Sequence, residues 1–146
     1  GQDFERPLVG RGALYADFDD DGDLDVLITA IRSPPRLLRN DQRLGHHWLR
    51  VKLIGRHCNR DAIGAWIEAH AAGTVQRRQV MPTRSYLSQV ELPVTFGLGK
   101  ANRVDRLIVH WPDGSRQEVV PDGVDRLLVI EQATQATALR SRSVAP

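Results

Sequence analysis

Ala13-Leu14-Tyr15-Ala16, then Asp17-Phe18-Asp19-Asp20-Asp21-Gly22-Asp23-Leu24-Asp25, then Val26-Leu27-Ile28-Thr29: two short apolar runs enclose nine residues that hold six carboxylates. So many like charges in one turn repel one another unless something shared offsets them. Asp17, Asp19, Asp21 and Asp25 stand at positions 1, 3, 5 and 9 of the loop, with Gly22 after the third. Alternate residues of a folded-back loop point inward, and a calcium ion takes roughly six to eight oxygens in flexible geometry. Gly22 permits the sharp reversal that a side chain would block. Asp23 offers its backbone carbonyl, and Asp25 closes the shell from the start of the next strand. Asp17, Asp19, Asp21, Asp23 and Asp25 are therefore the candidate ligands of Ca2+. The competing reading is a solvated acidic turn, because Asp-Gly pairs are common in turns.

The flanks decide the kind of fold. An EF-hand loop sits between helices and closes with a bidentate Glu at position 12. Here that position is Ile28. Apolar runs as short as these read as buried strands. Residues 1–44 are accordingly expected to form a strand–calcium loop–strand unit, with Arg36-Leu37-Leu38-Arg39 as a further short strand.

Residues 45–132 alternate with period two. Leu49, Val51 and Leu53 share one face, Arg50 and Lys52 the other. Ala65, Ile67 and Ala69 oppose Trp66, Glu68 and His70. Arg106-Leu107-Ile108-Val109-His110-Trp111 runs into Pro112-Asp113-Gly114-Ser115, a hairpin turn, and then Gln117-Glu118-Val119-Val120. Closely spaced strands without a helical period predict an all-β fold, a β-sandwich or partly open barrel. Leu49, Val51, Leu53, Ile67, Phe96, Leu107, Val109 and Val129 are its expected core. Residues 133–146 lose periodicity and are expected to be a tail.

The net charge is +2, unevenly spread. Setting aside the six loop aspartates leaves 12 acids against 20 bases, a basic body of +8. Interleaving of the signs, as in Arg103–Asp105–Arg106, reads as a mixed-charge surface rather than a nucleic-acid groove. Arg77-Arg78, with Arg84, is the one local basic cluster. No apolar run approaches the roughly 18 residues of a membrane span. Cys58 is the only cysteine, so no internal disulfide forms. As a nucleophile it would need His57. Adjacent residues of an extended chain point opposite ways, which argues against the pair.

Gly12–Asp25 followed by Leu38-Arg39-Asn40 resembles an FG-GAP repeat, the integrin-like, VCBS-type calcium-binding blade. His47-Trp48-Leu49, Leu53-Ile54-Gly55 and Asn59-Arg60-Asp61-Ala62-Ile63-Gly64-Ala65 resemble the ASPIC/UnbV domain. So do Tyr86-Leu87-Ser88-Gln89, Phe96-Gly97-Leu98-Gly99 and Trp111-Pro112-Asp113-Gly114. Together the resemblances cover nearly all of residues 10–132. They imply an extracellular or cell-surface protein in which such repeats bind calcium and mediate contacts. No catalytic residue carries over. One departure matters. A propeller needs about four blades of about four strands, and residues 1–44 supply one incomplete blade. Asn59 to Gly64 has its own reading as a capped turn, with a ligand pocket as the alternative.

The expected function is a non-enzymatic, calcium-stabilised recognition or assembly module. Its candidate contact residues are Trp66, Arg77, Arg78 and Tyr86, and its partner is a protein or glycan at the cell surface. Open strand edges could pair with a second copy, giving a homo-oligomer or filament; the Gly1–Val9 arm or the tail from Ala133 would be the donated strand. The alternatives are a calcium-dependent glycan-binding domain or a metal-assisted hydrolase. The last lacks support: His46, His47, His57, His70 and His110 fall in no metal-ligand spacing, and no nucleophile motif appears.

Overall fold

The computed structural model of the chain describes residues 5–134. Most of the segment read as a tail, and the first four residues of the Gly1–Val9 arm, lie outside the described residues. Every regular element among the described residues is a strand, so no helix there is long and apolar enough to cross a membrane. The chain divides into two compact units. One runs to Leu44 and adds Met81–Glu91; the other comprises Gly45–Val80 and the chain from Leu92 onward. Met81–Glu91 lies within the span read as sandwich, yet it groups with the N-terminal unit.

The second unit is a β-sandwich. Its four-stranded sheet has the order β11 (Arg116–Val119), β10 (Arg106–His110), β5 (Trp66–Ala71), β6 (Thr74–Gln79), antiparallel throughout. The three-stranded sheet has the order β12 (Arg126–Glu131), β4 (His47–Ile54), β9 (Val94–Gly99). There β12 runs parallel to β4 and β9 antiparallel to it. Alternation supplies the inner faces. Leu49, Val51 and Leu53 of β4 and Phe96 of β9 meet Ile67 and Ala69 of β5 and Leu107 and Val109 of β10 in one buried cluster, with Trp111 and Ile130. Seven of the eight expected core residues are there.

Val129 is not. It pairs with Lys52, and its side chain is 49% exposed. The core positions of β12 are Ile130, fully inside, and Leu128, half-buried against the cluster. Leu127-Leu128-Val129-Ile130 is apolar at every position, so the sequence carries no alternation to say which parity faces in.

The two sheets are stitched at both margins by glutamine side chains. Gln76 on β6 lies opposite Ala69, hence on the inner face, and its amide donates to the Gly97 carbonyl of β9 at 2.6 Å. Gln117 on β11 lies opposite Val109. Its Nε2 donates to the Glu131 carbonyl of β12 at 3.1 Å, and its Oε1 accepts the Ala133 N–H at 3.0 Å. Gln117 thus offers β12 the donor and acceptor that a neighbouring strand would offer. Trp111 Nε1–H also donates to Gln117 Oε1, which fixes the amide orientation.

The first unit contains a three-stranded antiparallel sheet, β1 (Gly10–Ala16), β2 (Asp25–Ala30), β3 (Arg36–Leu38), in that order. A bulge between Gly10 and Ala13 bends β1. A small hairpin, β7 (Thr83–Ser85) and β8 (Ser88–Gln89), stands against it. The Ala13 N–H donates to Ser85 Oγ at 3.2 Å.

Candidate functional site

The acidic loop joins β1 to β2, whose last register pair is Ala16 with Asp25. Two left-handed residues fold it back, Asp20 (φ 58°) and Gly22 (φ 94°). Asp17 then collects two backbone donors: Oδ1 accepts the Asp21 N–H at 3.1 Å and Oδ2 the Gly22 N–H at 3.0 Å. Asp21 Oδ1 accepts the Asp23 N–H at 2.9 Å. The result brings one carboxylate oxygen each of Asp17, Asp19 and Asp21 within 4.8 Å of one another.

Asp25 plays a different part. It is 1% exposed, and its oxygens accept the Phe18 N–H at 3.0 Å and the Asn40 N–H at 2.7 Å. Its carboxylate ties both the start of the loop and the chain after β3 to the head of β2. The Asp23 side chain is not among the converging three; the atom expected of it is the backbone carbonyl. Sequence spacing alone did not reveal that Asp25 holds Asn40, because the contact depends on where β3 ends.

The electrostatics follow from this crowding. Partial desolvation, then the Asp21 and Asp25 carboxylates, raise the Asp19 carboxyl above its ordinary value. Asp23 is raised in the same way, by desolvation first and then Asp21 and Asp17. Arg39 lies 3.8 Å from Asp19, but its other nitrogen is held at 2.7 Å by Asp41. The donor set is all oxygen and partly preorganised by backbone N–H groups. Those residues fit a hard divalent cation. Asp17, Asp19 and Asp21 would hold it, and its charge would reverse the repulsion that the loop otherwise bears.

Three of the four candidate contact residues lie in the second unit, on two faces of its four-stranded sheet. Trp66 and Arg77 share the outer face of the four-stranded sheet, the guanidinium 4.7 Å from the ring centroid. Arg77 also lies 3.6 Å from Glu68 Oε1, the oxygen that His110 approaches to 3.2 Å from β10. Alternation along β5 already placed Trp66, Glu68 and His70 on one face; the approach of His110 to Glu68 needed the register with β10. Arg78 points the other way and lies over the Phe96 ring at 5.8 Å. Tyr86 belongs to the first unit, at the tip of the β7–β8 hairpin.

Asn59 to Gly64 is a structural loop. Asn59 Nδ2 donates to the Ile63 carbonyl at 2.9 Å, and Asn59 Oδ1 accepts the Ile63 N–H at 2.8 Å. Next to it Gln132 Oε1 accepts the Arg56 and His57 N–H groups, while its Nε2 donates to Asp113 at 2.7 Å. Burial, then the Asp113 carboxylate, push the Cys58 thiol up, away from the reactive thiolate.

An all-β architecture with a sandwich that begins near residue 45 and an acidic strand–loop–strand before it defines a class of module. The comparison with known proteins agrees: residues 55–137 match the ASPIC and UnbV family, and the chain belongs to it. The chain is also similar to cartilage acidic protein 1. The human protein is 31% identical over 118 residues, which cover 78% of this chain and 18% of that protein. The mouse protein is 30% identical over the same length and shares. The Xenopus tropicalis protein is 31% identical over 109 residues, 72% of this chain and 16% of that protein. The chain therefore spans less than a fifth of the length of these curated relatives.

Proposed function

We propose that the chain is a calcium-stabilised, non-enzymatic recognition module that works outside the cell. The observation that carries this is the convergence of one carboxylate oxygen each of Asp17, Asp19 and Asp21 within 4.8 Å of one another. Calcium would cancel the repulsion and hold β1 and β2 in register, so its binding energy would go into ordering the loop. The N-terminal unit would then be an FG-GAP-type blade. Membership of the ASPIC and UnbV family and similarity to proteins named for cartilage support the extracellular setting. A blade carries about four strands, and among the described residues β3 is an outer strand, beside which another strand would add. That strand would come from a longer chain or from a second copy.

Calorimetry tests the metal reading. Calcium titrated into the chelator-treated protein is expected to release or absorb measurable heat and to raise its melting temperature. Asp19→Ala and Asp21→Ala should each weaken binding at least tenfold (about 1.4 kcal/mol). Magnesium should compete poorly, since it prefers a water-rich octahedral shell. A wild-type protein with neither heat nor stabilisation would remove calcium from the account.

A further inference from the structure

The β7–β8 hairpin ends in two exposed apolar residues, Tyr86 at 64% and Leu87 at 89% exposure. Leu87 also has φ 47°, in the left-handed region. Glycine or asparagine would take that conformation readily, whereas a leucine there is strained. A bulky apolar residue is thus held where backbone and solvent both disfavour it. Strain of this kind clusters at functional sites, and here it comes with a second and a third observation.

The second is rigidity. Ser88 Oγ donates to the Tyr86 carbonyl at 2.9 Å, and the Val90 N–H donates to the Pro82 carbonyl at 2.8 Å. At the base, Gly12 of β1 comes so close that a Cβ there would lie 2.2 Å from Ser88 Oγ and 2.9 Å from the Tyr86 carbonyl oxygen. These contacts brace the tip on its own hairpin and on β1, and a braced tip loses less entropy on binding.

The third is charge. Arg84 of β7 uses its Nε–H on the Met81 carbonyl at 3.1 Å. Among the described residues Arg84 pairs with no carboxylate. Arg84 lies two residues before Tyr86 in the same hairpin, so the aromatic and aliphatic tip has a guanidinium on its own element. Tyrosine and arginine at a preorganised tip are the residue types that dominate protein interfaces. A membrane is the poorer fit, because even a whole myristoyl chain anchors only marginally.

We infer that the β7–β8 hairpin is a rigid contact finger whose Tyr86–Leu87 tip enters an apolar pocket rimmed by carboxylates on a protein partner. The inference rests on the reading of the chain as a recognition module and is independent of the metal.

The test uses the full chain and a phage-displayed library of disulfide-constrained peptides, counter-selected against the Tyr86→Ser/Leu87→Gly protein. Selected peptides are expected to combine apolar residues with Asp or Glu. Their affinity should fall at least tenfold for Leu87→Gly and for Arg84→Glu, while the melting temperature of Leu87→Gly stays level or rises as strain is relieved. A lower melting temperature for Leu87→Gly would make the residue a packing element and overturn the inference. Peptides that bind the double variant equally well, or that lack acidic residues, would overturn it too. So would tip-dependent binding to phosphatidylserine vesicles, which would make the finger a membrane contact, or tip-dependent self-association in light scattering, which would make the partner a second copy. Asp19→Ala separates the two readings. Peptide binding that survives in a chain without a calcium response leaves the finger standing alone.

Discussion

At Asp113 the hydroxyl and the backbone N–H of Ser115 both donate to one carboxylate oxygen, at 2.7 and 3.0 Å. These bonds, with the amide of Gln132, hold the carboxyl below its ordinary value against the opposing effect of burial. Asp125 ends in the same place by another balance. Burial raises it, but the hydrogen bonds from His47 and the Trp48 N–H outweigh that. A carboxyl with a depressed folded pKa contributes stability above its unfolded value of about 3.9 and loses it as pH falls through the folded value. The sandwich should therefore melt at a nearly constant temperature from about pH 7 to 5 and lose stability below about pH 4. Asp113→Asn and Asp125→Asn should flatten that acid limb, and an unchanged limb in both would show that other groups set it. Phe96 is fully buried. Phe96→Ala should cost about 3–5 kcal/mol in urea unfolding; a cost under about 1 kcal/mol would mean that the site collapses or that the ring is peripheral.

Among the elements, those whose pattern is local were readable in the sequence. β4 and β5 alternate in sequence, so their inner faces followed from side-chain period, although Arg50 on the other face of β4 is buried as well. The turn at Pro112 to Ser115 fixed the β10–β11 hairpin by its residue types. The misplacement of Val129 has its reason in β12: four consecutive apolar residues have no parity, and the parallel pairing with β4 is a long-range choice. β7 and β8 are two or three residues long, too short for a period. Their attachment to β1 depends on Gly12, a residue more than 70 positions away. In the acidic loop the two-residue spacing announced Asp17, Asp19 and Asp21, whereas Leu87 carried no turn signal, since its left-handed backbone is contrary to its type. At this scale Gly12→Ala is the informative change. It should loosen the hairpin and speed amide exchange at Ala13 and Val90, with little change in the sandwich; equal protection in the variant would show that the hairpin moves aside freely.

For the molecule as a whole, the question is whether free strand edges are used. Ordered strands with unpaired edges are covered, blunted or paired. In the sandwich, β12 is blunted at Glu131 and Ala133 by Gln117, and β9 at Gly97 by Gln76. In the N-terminal unit β1 and the three-residue β3 are the outer strands; the β7–β8 hairpin stands against β1, and Leu37 of β3 is exposed. Any pairing with another chain is therefore expected at β3, and calcium should favour it by ordering the sheet. Light scattering of the chain with calcium and with chelator tests this. A Leu37→Lys change should lower any association that calcium promotes, since a charge on an edge strand opposes pairing. A monomer under both conditions would exclude self-assembly and leave a partner of another kind.

The glutamine seams have a genetic consequence. A backbone ladder is nearly indifferent to side-chain identity, so a closed barrel keeps its last row of bonds through almost any point mutation. Here the closing bonds are written in two codons. Gln117→Glu would replace a donor with an acceptor, setting a carboxylate against the Glu131 carbonyl while leaving every strand intact. Drift at a single nucleotide could thus unfasten one margin of the sandwich and expose β12 to other strands, turning a discrete module into one that sticks to its neighbours.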